Sequence, residues 1–217
     1  MNELEKKWNE VDTTIDTVNW RGEPIHLTGV KALKNSRTGT IRVYPSEIAK
    51  AEVRQLAKSL GILPRDVGSL LMIFAKPGYF KEGEVLYKYH LQKLLFYYWK
   101  FLDIYGYKNA FPIDDFIAAE SGPVPEHLDD DLQTLEEKKL IKVRYEKWEQ
   151  GRSKRIMLTK EGMKLATEVW KALPDPYKEI AIKVKERIHP LSPDRVRHLV
   201  HKEYPEYKDT YVKNDIE

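Results

Sequence analysis

The sequence predicts an α+β fold that is mostly helical, and three patterns support this prediction. Two short helical segments separated by Gly61 follow a strand-sized segment within residues 40–79. A long segment rich in Leu, Phe and Tyr covers residues 85–105. Residues 128–165 combine a helical apolar spacing, an alternating hairpin and a second helix start. We expect an N-terminal arm (1–39), a small unit (40–79), a larger domain (80–173) and a C-terminal helical extension (174–217).

The N-terminal arm is expected to contain one helix. Leu4, Trp8, Val11 and Ile15 recur at a spacing that places them on one side of a helix. A basic, turn-rich run follows over residues 31–40. Chain termini of this polar composition are often poorly tied to the domain that follows.

The unit at residues 40–79 has the spacing of a helix-turn-helix. This motif needs a small residue where the helices cross, a glycine at the turn, and a branched apolar residue in the second helix. Ala57, Gly61 and Val67 stand at those positions, and the apolar Ile62 follows the turn. In that arrangement the residues facing DNA are Arg65 and Ser69, with Lys58 near the phosphate backbone.

Two other interpretations fit the same unit. In a ribbon-helix-helix, Thr40, Arg42 and Tyr44 point outward from a strand that enters the major groove after dimerisation. In an ordinary helical hairpin, the second helix packs into the core. The run Leu-Leu-Met-Ile-Phe at residues 70–74 is too apolar for a groove-exposed helix end, which favours core packing.

The segment at residues 85–105 is predicted to be a helix that is apolar almost all round. Such a helix is buried on several sides, as the centre of a domain or as a dimer seam. Its polar residues argue against a membrane span: Lys88, His90, Lys93, Lys100 and Asp103. The turn-rich segment that follows is expected to include a short helix over residues 114–119.

A helix, a basic hairpin and a further helix follow in a winged-helix order. Ile141 and Val143 alternate with Lys142 and Arg144, the residues 149–152 make a turn, and the alternation then resumes. Thr159 is expected to cap a helix over residues 160–172. Winged-helix domains usually bind duplex DNA.

The hairpin, or wing, carries six cations that suit phosphate or minor-groove contact. They are Lys142, Arg144, Lys147, Arg152, Lys154 and Arg155. An equally good interpretation is a solvated hairpin whose charges keep the sheet edge soluble.

The helix at residues 126–139, which would enter the groove, is acidic. Phosphates repel its carboxylates, so it is a poor reader of DNA. Acids near a helix start also complement the helix dipole. Otherwise this surface is built for a protein partner, such as a toxin or a regulator, through Glu126, Asp129, Asp130 and Asp131.

Composition excludes several classes of function. The chain has no cysteine, so disulfides, thiolate metal sites and cysteine nucleophiles are excluded. A net charge of +3 permits nucleic-acid binding without arguing for it. The N-terminus has no apolar signal core, so we expect a cytoplasmic protein. Heavy use of Lys, Glu and Tyr is typical of thermophiles.

No pattern in the sequence predicts an enzyme. His198 and His201 lie three apart, but the pattern of zinc hydrolases, with a glutamate between two histidines, is missing. No phosphate-binding glycine loop or nucleophile elbow is present. We therefore expect no catalytic residue, metal or cofactor.

Two resemblances extend these predictions. The hairpin and the Leu-Thr-Lys-Glu-Gly sequence at residues 158–162 resemble winged-helix transcription regulators. Leu-Gln-Lys-Leu-Leu-Phe-Tyr at residues 91–97, followed by Ala-Glu-Ser-Gly-Pro-Val at 119–124, is similar to the Panacea domain. That family usually has an aromatic residue where this chain has Ser121. The second resemblance implies an antitoxin or adaptor that acts through protein contacts.

Two functions are thus expected from the sequence. The leading hypothesis is a non-enzymatic DNA-binding regulator that uses the wing and the Arg65 region on double-stranded DNA. The alternative is an antitoxin-like or adaptor module that uses the acidic helix. The aromatic helix adds the expectation of a homodimer.

Overall fold

The computed structural model describes residues 8–19, 22–75, 84–85, 87–105, 110–113, 116–119, 121–148 and 151–207. At residues 84–85, 147–148 and 151–153 it describes the backbone alone. The predicted α+β fold is confirmed, with seven α-helices and small antiparallel sheets in the described part of the chain. None of these helices has the length and hydropathy that a membrane span requires.

The N-terminal region is a three-stranded antiparallel sheet, so the helix expected within residues 1–39 is wrong for the described part. Its strands are β1 (Trp8–Val18), β2 (Pro24–Asn35) and β3 (Ile41–Val43), in that order. From Val11 to Val18 half-buried and exposed residues alternate. The spacing of Trp8, Val11 and Ile15 fits a helical face, but the run Thr-Thr-Ile-Asp-Thr-Val is largely β-branched and favours a strand. Leu4 lies outside the described residues.

This sheet packs on helix α1 (Pro45–Leu60) through a small core of its own. Leu27 and Val30 of β2 and Ala51 of α1 are fully buried there. Strand β3 and helix α1 are thus the short strand and the first of the two helices expected within residues 40–79, and the second helix follows Gly61.

Helix α2 (Pro64–Phe74) lies inside the main core. Gly61 ends α1 in the left-handed conformation, with φ of 68°, and its amide N–H donates to the carbonyls of Ala57 and Lys58. Such a φ favours glycine. All eight residues from Asp66 to Ile73 are buried, so core packing describes this helix.

Helix α3 (Lys88–Ile104) is the central element of the main core. It packs against α6 (Asp175–Ile188), α7 (Pro193–Glu203) and a 3₁₀ turn at Pro205–Tyr207. The ring centroid of Phe96 lies 5.0 Å from those of Tyr204 and Tyr207. Because the chain's own C-terminal helices cover the aromatic residues of α3, their burial needs no second copy.

The second sheet contains the predicted hairpin. Strands β7 (Ile141–Trp148) and β8 (Gly151–Leu158) pair from Ile141 opposite Leu158 to Trp148 opposite Gly151. Strand β4 (Glu84–Val85) pairs with the other edge of β8, so the order is β4-β8-β7. Helix α4 (Leu128–Glu137) precedes the hairpin and α5 (Lys160–Ala172) follows it.

Two local predictions have different outcomes. The cap is confirmed, because the Thr159 Oγ1 accepts from the Gly162 amide at 3.0 Å. The short helix expected over residues 114–119 is wrong for its described residues, because Phe116–Ile117 forms strand β5 and pairs with β6 (Val124–Pro125). Residues 114–115 lie outside the described part. The pairing satisfies the backbone groups that a single helical turn would leave free.

Two buried helical glycines give opposite predictions. A Cβ on Gly162 would lie 1.8 Å from the carbonyl oxygen of Leu140, whereas the nearest atoms to a Cβ on Gly68 would be those of Ile113 and Phe111, at the ordinary contact distances of 3.6 Å and 3.9 Å. We expect Gly162→Ala to lower the free energy of unfolding by about 3 kcal/mol, because α5 must move away from the backbone of Leu140, just before β7. Gly68→Ala should raise it by about 0.5 kcal/mol through helix propensity. Urea unfolding of both variants tests the pair, and equal effects would contradict the close approach.

Candidate nucleic-acid interface

The hairpin has an apolar inner face and a basic outer face. Ile141 and Ile156 point into the core and are 2% and 0% exposed. Lys142 and Arg144, which alternate with the inward residues, are exposed. Arg144 lies opposite Arg155 across the two strands, so three cations share the outer face.

The six cations predicted in the wing divide into three pairs. Lys142 and Arg144 are exposed, and no ion pair within 4 Å involves them among the described side chains. Lys154 Nζ lies 3.7 Å from an Asp129 oxygen, and Arg155 Nη1 lies 3.3 Å from a Glu146 oxygen. The side chains of Lys147 and Arg152 lie outside the described part. Acids of the chain itself thus hold two of the predicted DNA ligands.

Helix α4 lies between α2 and the hairpin, and polar contacts join it to both. On the α2 side, Arg65 Nε donates to the Asp131 carboxylate, and Lys138 Nζ donates to the Gly61 carbonyl at 3.0 Å. On the hairpin side, the Val143 amide donates to Glu136 at 3.0 Å. These contacts set the position of the hairpin relative to the helical core.

The acids of α4 have different electrostatic surroundings. A hydrogen bond from Lys88 lowers the pKa of Asp129, and Lys154 adds to the effect. Burial raises the pKa of Asp131, although Arg65 opposes the shift. Asp131 is 6% exposed, so its prediction as a partner-binding residue is wrong. Glu126 and Asp130 are exposed, and Asp129 is exposed but ion-paired to Lys88.

Most of the side chains predicted to contact DNA within residues 40–79 are buried or in contact with other side chains of the chain. Ser69 is 1% exposed, so it cannot reach a DNA groove and its prediction is wrong. Arg65 is held by Asp131. The Arg42 guanidinium lies over the Trp8 ring, 4.6 Å from its centroid. Lys58 is exposed at the last turn of α1. The helix-turn-helix spacing is satisfied by packing, because Ala57 and Val67 are fully buried.

Lys93, which sequence reasoning did not single out, joins the two segments of the Panacea-like resemblance. Its Nζ is fully buried and donates to the Pro123 carbonyl at 2.7 Å. Gly122 has a φ of 86°, which favours glycine, and a Cβ added there would lie 3.7 Å from this Nζ. A lysine on the apolar face of a buried helix was the signal available in the sequence.

A search of protein-family models and of curated proteins finds no match to this chain. Within the described residues, no three His, Cys, Asp or Glu side chains are grouped so that they could hold a metal ion. His198 is exposed and His201 is half-buried on α7.

The Arg65–Asp131 ion pair gives a stability prediction. Arg65→Ala leaves the buried Asp131 carboxylate without its cation, so we expect a loss of about 2 kcal/mol, reduced from the buried-pair range because Arg65 is partly exposed. Arg197→Ala, which breaks the exposed pair with Asp194, should cost less than about 0.5 kcal/mol. Urea unfolding measures both. The variant Asp131→Ala and the double variant Arg65→Ala/Asp131→Ala complete a double-mutant cycle. If the losses of unfolding free energy in the two single variants add up to the loss in the double variant, the two residues are not coupled.

The buried lysines predict how stability changes with pH. Burial lowers the pKa of Lys93 to about 7 and that of Lys185, which donates to the Ile73 and Ala75 carbonyls, to about 8. Between pH 8 and 9.5 the unfolded chain binds more protons at these two positions than the folded chain does, so the free energy of unfolding should rise with pH. Lys93→Met should remove about half of that slope in urea titrations. An unchanged slope would contradict the burial of Lys93.

Proposed function

We propose that this chain is a non-enzymatic protein that binds duplex DNA through the outer face of the β7–β8 hairpin, as a transcription regulator would. The observation that supports this most is the placement of Lys142 and Arg144. Both side chains are exposed on that face, and both lie outside the chain's own ion pairs among the described residues. Cations of this kind attract phosphates and release counterions when they bind.

The order of elements supports a winged-helix arrangement for this part of the chain. The last three helices before the hairpin are α2, α3 and α4, and β4, the first strand of the hairpin's sheet, falls between α2 and α3. The sheet order β4-β8-β7 places the hairpin at one edge. In this interpretation the hairpin is the wing and α4 occupies the place of a recognition helix.

DNA would lie along the hairpin and not along α4. The exposed residues of α4 include Asp130 and Glu137, which repel phosphates. Arg155 adds to the outer face of the hairpin, although Glu146 compensates part of its charge. The contact is therefore expected to be to phosphates, with little readout of base sequence.

A charge-reversal experiment tests this proposal. We expect the full chain to bind a random duplex in fluorescence anisotropy at about 50 mM salt, and the affinity to fall with rising salt. Lys142→Glu/Arg144→Glu should weaken binding at least about tenfold, because attraction becomes repulsion. Arg195→Glu/Lys202→Glu, which reverses one exposed arginine and one exposed lysine on α7, is the matched control and should change affinity much less. No binding by the wild type, or equal losses in both variants, would sink the proposal.

A second candidate function is favoured by the exposed acids at the start of α4. Glu126 and Asp130 are exposed and would offer a negative surface to a basic protein partner, such as a toxin. Co-purification with proteins encoded beside this chain, compared between wild type and Glu126→Lys/Asp130→Lys, tests it. A partner that is lost only in the variant supports an antitoxin-like or adaptor role. The homodimer also stays a prediction, which light scattering of the purified chain tests.

A further inference from the structure

A cavity of about 360 Å³ lies where the N-terminal sheet meets α1 and α5. Its volume falls within the range of small-molecule sites. Its apolar lining comes from three elements: Ile25 of β2, Leu56 and Leu60 of α1, and Ala172 of α5. Its polar lining is Asn19, Glu52, Gln55, Ser59 and Glu168.

Glu52 is the unusual member of this lining. The residue is 5% exposed, and its Oε2 has no hydrogen-bond partner among the described residues. Among the described residues, no cationic side chain lines the cavity. A buried carboxylate without a cation or a donor is costly, so chains normally provide one. Burial accordingly raises the pKa of Glu52 to about 7.

We propose that this cavity binds a primary alkylammonium ion, with the ammonium on the Glu52 carboxylate and the alkyl chain against the apolar lining. The ammonium supplies the positive charge that the Glu52 carboxylate lacks among the described residues of the lining, and its N–H groups can donate to that carboxylate. Ser59 and Gln55 line the same cavity and offer oxygens for the remaining N–H groups. The apolar residues favour a linear hydrocarbon chain over a second polar group.

The position of the cavity gives such a ligand a structural consequence. Its lining includes residues of β2 in the N-terminal sheet and residues of α5, the helix that directly follows the hairpin. A bound ligand therefore contacts both the N-terminal sheet, through β2, and helix α5 of the main core. It stabilises their packing by an amount set by its affinity for the folded chain.

Isothermal titration of the full chain with hexylamine at about pH 8 tests the proposal. We expect one binding site, with hexan-1-ol and hexanoate at least about tenfold weaker because neither carries the cation that Glu52 needs. Glu52→Gln should weaken hexylamine binding at least about tenfold while keeping the fold, because the amide is neutral and of similar size. Glu161→Gln, at an exposed position of α5, is the matched control and should leave the affinity unchanged.

A cavity-filling variant and the pH dependence of the affinity test whether the ligand binds in this cavity at Glu52. Ala172→Phe fills the cavity and should abolish binding in a chain whose circular dichroism is unchanged. Affinity should also rise several-fold from about pH 6 to pH 8, as Glu52 loses its proton. Glu168 of α5 is the other titratable group in the lining, and Asn19, Gln55 and Ser59 are neutral. Glu168→Gln should therefore retain this pH dependence. Equal binding of hexan-1-ol, full affinity in Glu52→Gln, or no heat at about ten millimolar hexylamine would each overturn the proposal.

Discussion

The position of the hairpin depends on polar contacts that α4 makes on both of its sides. Arg65 of α2 binds Asp131, and Lys88 and Lys154 both contact Asp129. The acids of α4 are thus attached to the helical core and to the hairpin at once. Since Asp131 is buried, its ion pair cannot be lost without leaving a charge in the core. The same contacts decide which cations of the chain remain available at its surface.

Ion pairing within the chain limits which charged residues of the hairpin and of α4 can bind another molecule. A sequence presents the basic hairpin and the acidic helix as alternative interfaces, whereas in the structure an ion pair between Lys154 and Asp129 joins the two. Lys154 and Asp129 are partners within one chain, so neither is a free contact for an outside molecule. Fewer charged residues remain available to a partner: Lys142 and Arg144 on the outer hairpin face, Glu126 just before α4, and Asp130 in the first turn of α4.

The sequence predicted correctly the elements that depend on interactions between residues close together in the chain. The hairpin, the Thr159 cap and the break at Gly61 follow from alternation, a side-chain acceptor and a left-handed residue. The N-terminal helix was wrong because Val11 and Ile15, four residues apart, fit the period of a helix and that of a strand equally, and β-branching favoured the strand. The apolar run at residues 70–74 already indicated that the helix of Ser69 is buried, whereas the partner of Asp131 lies on α2, distant in sequence, so no local pattern contains it. The partner of Lys93, a carbonyl 30 residues away, belongs to the same class.

The most direct test of the account is to map duplex binding onto the chain by nuclear magnetic resonance. If the outer hairpin face is the contact surface, adding a short duplex should shift the backbone amides around Lys142 and Arg144 most strongly. The amides of α4 from Asp130 to Glu137 should then shift little. Shifts centred on α4, or on the α1–α2 unit with the hairpin unaffected, would contradict the account.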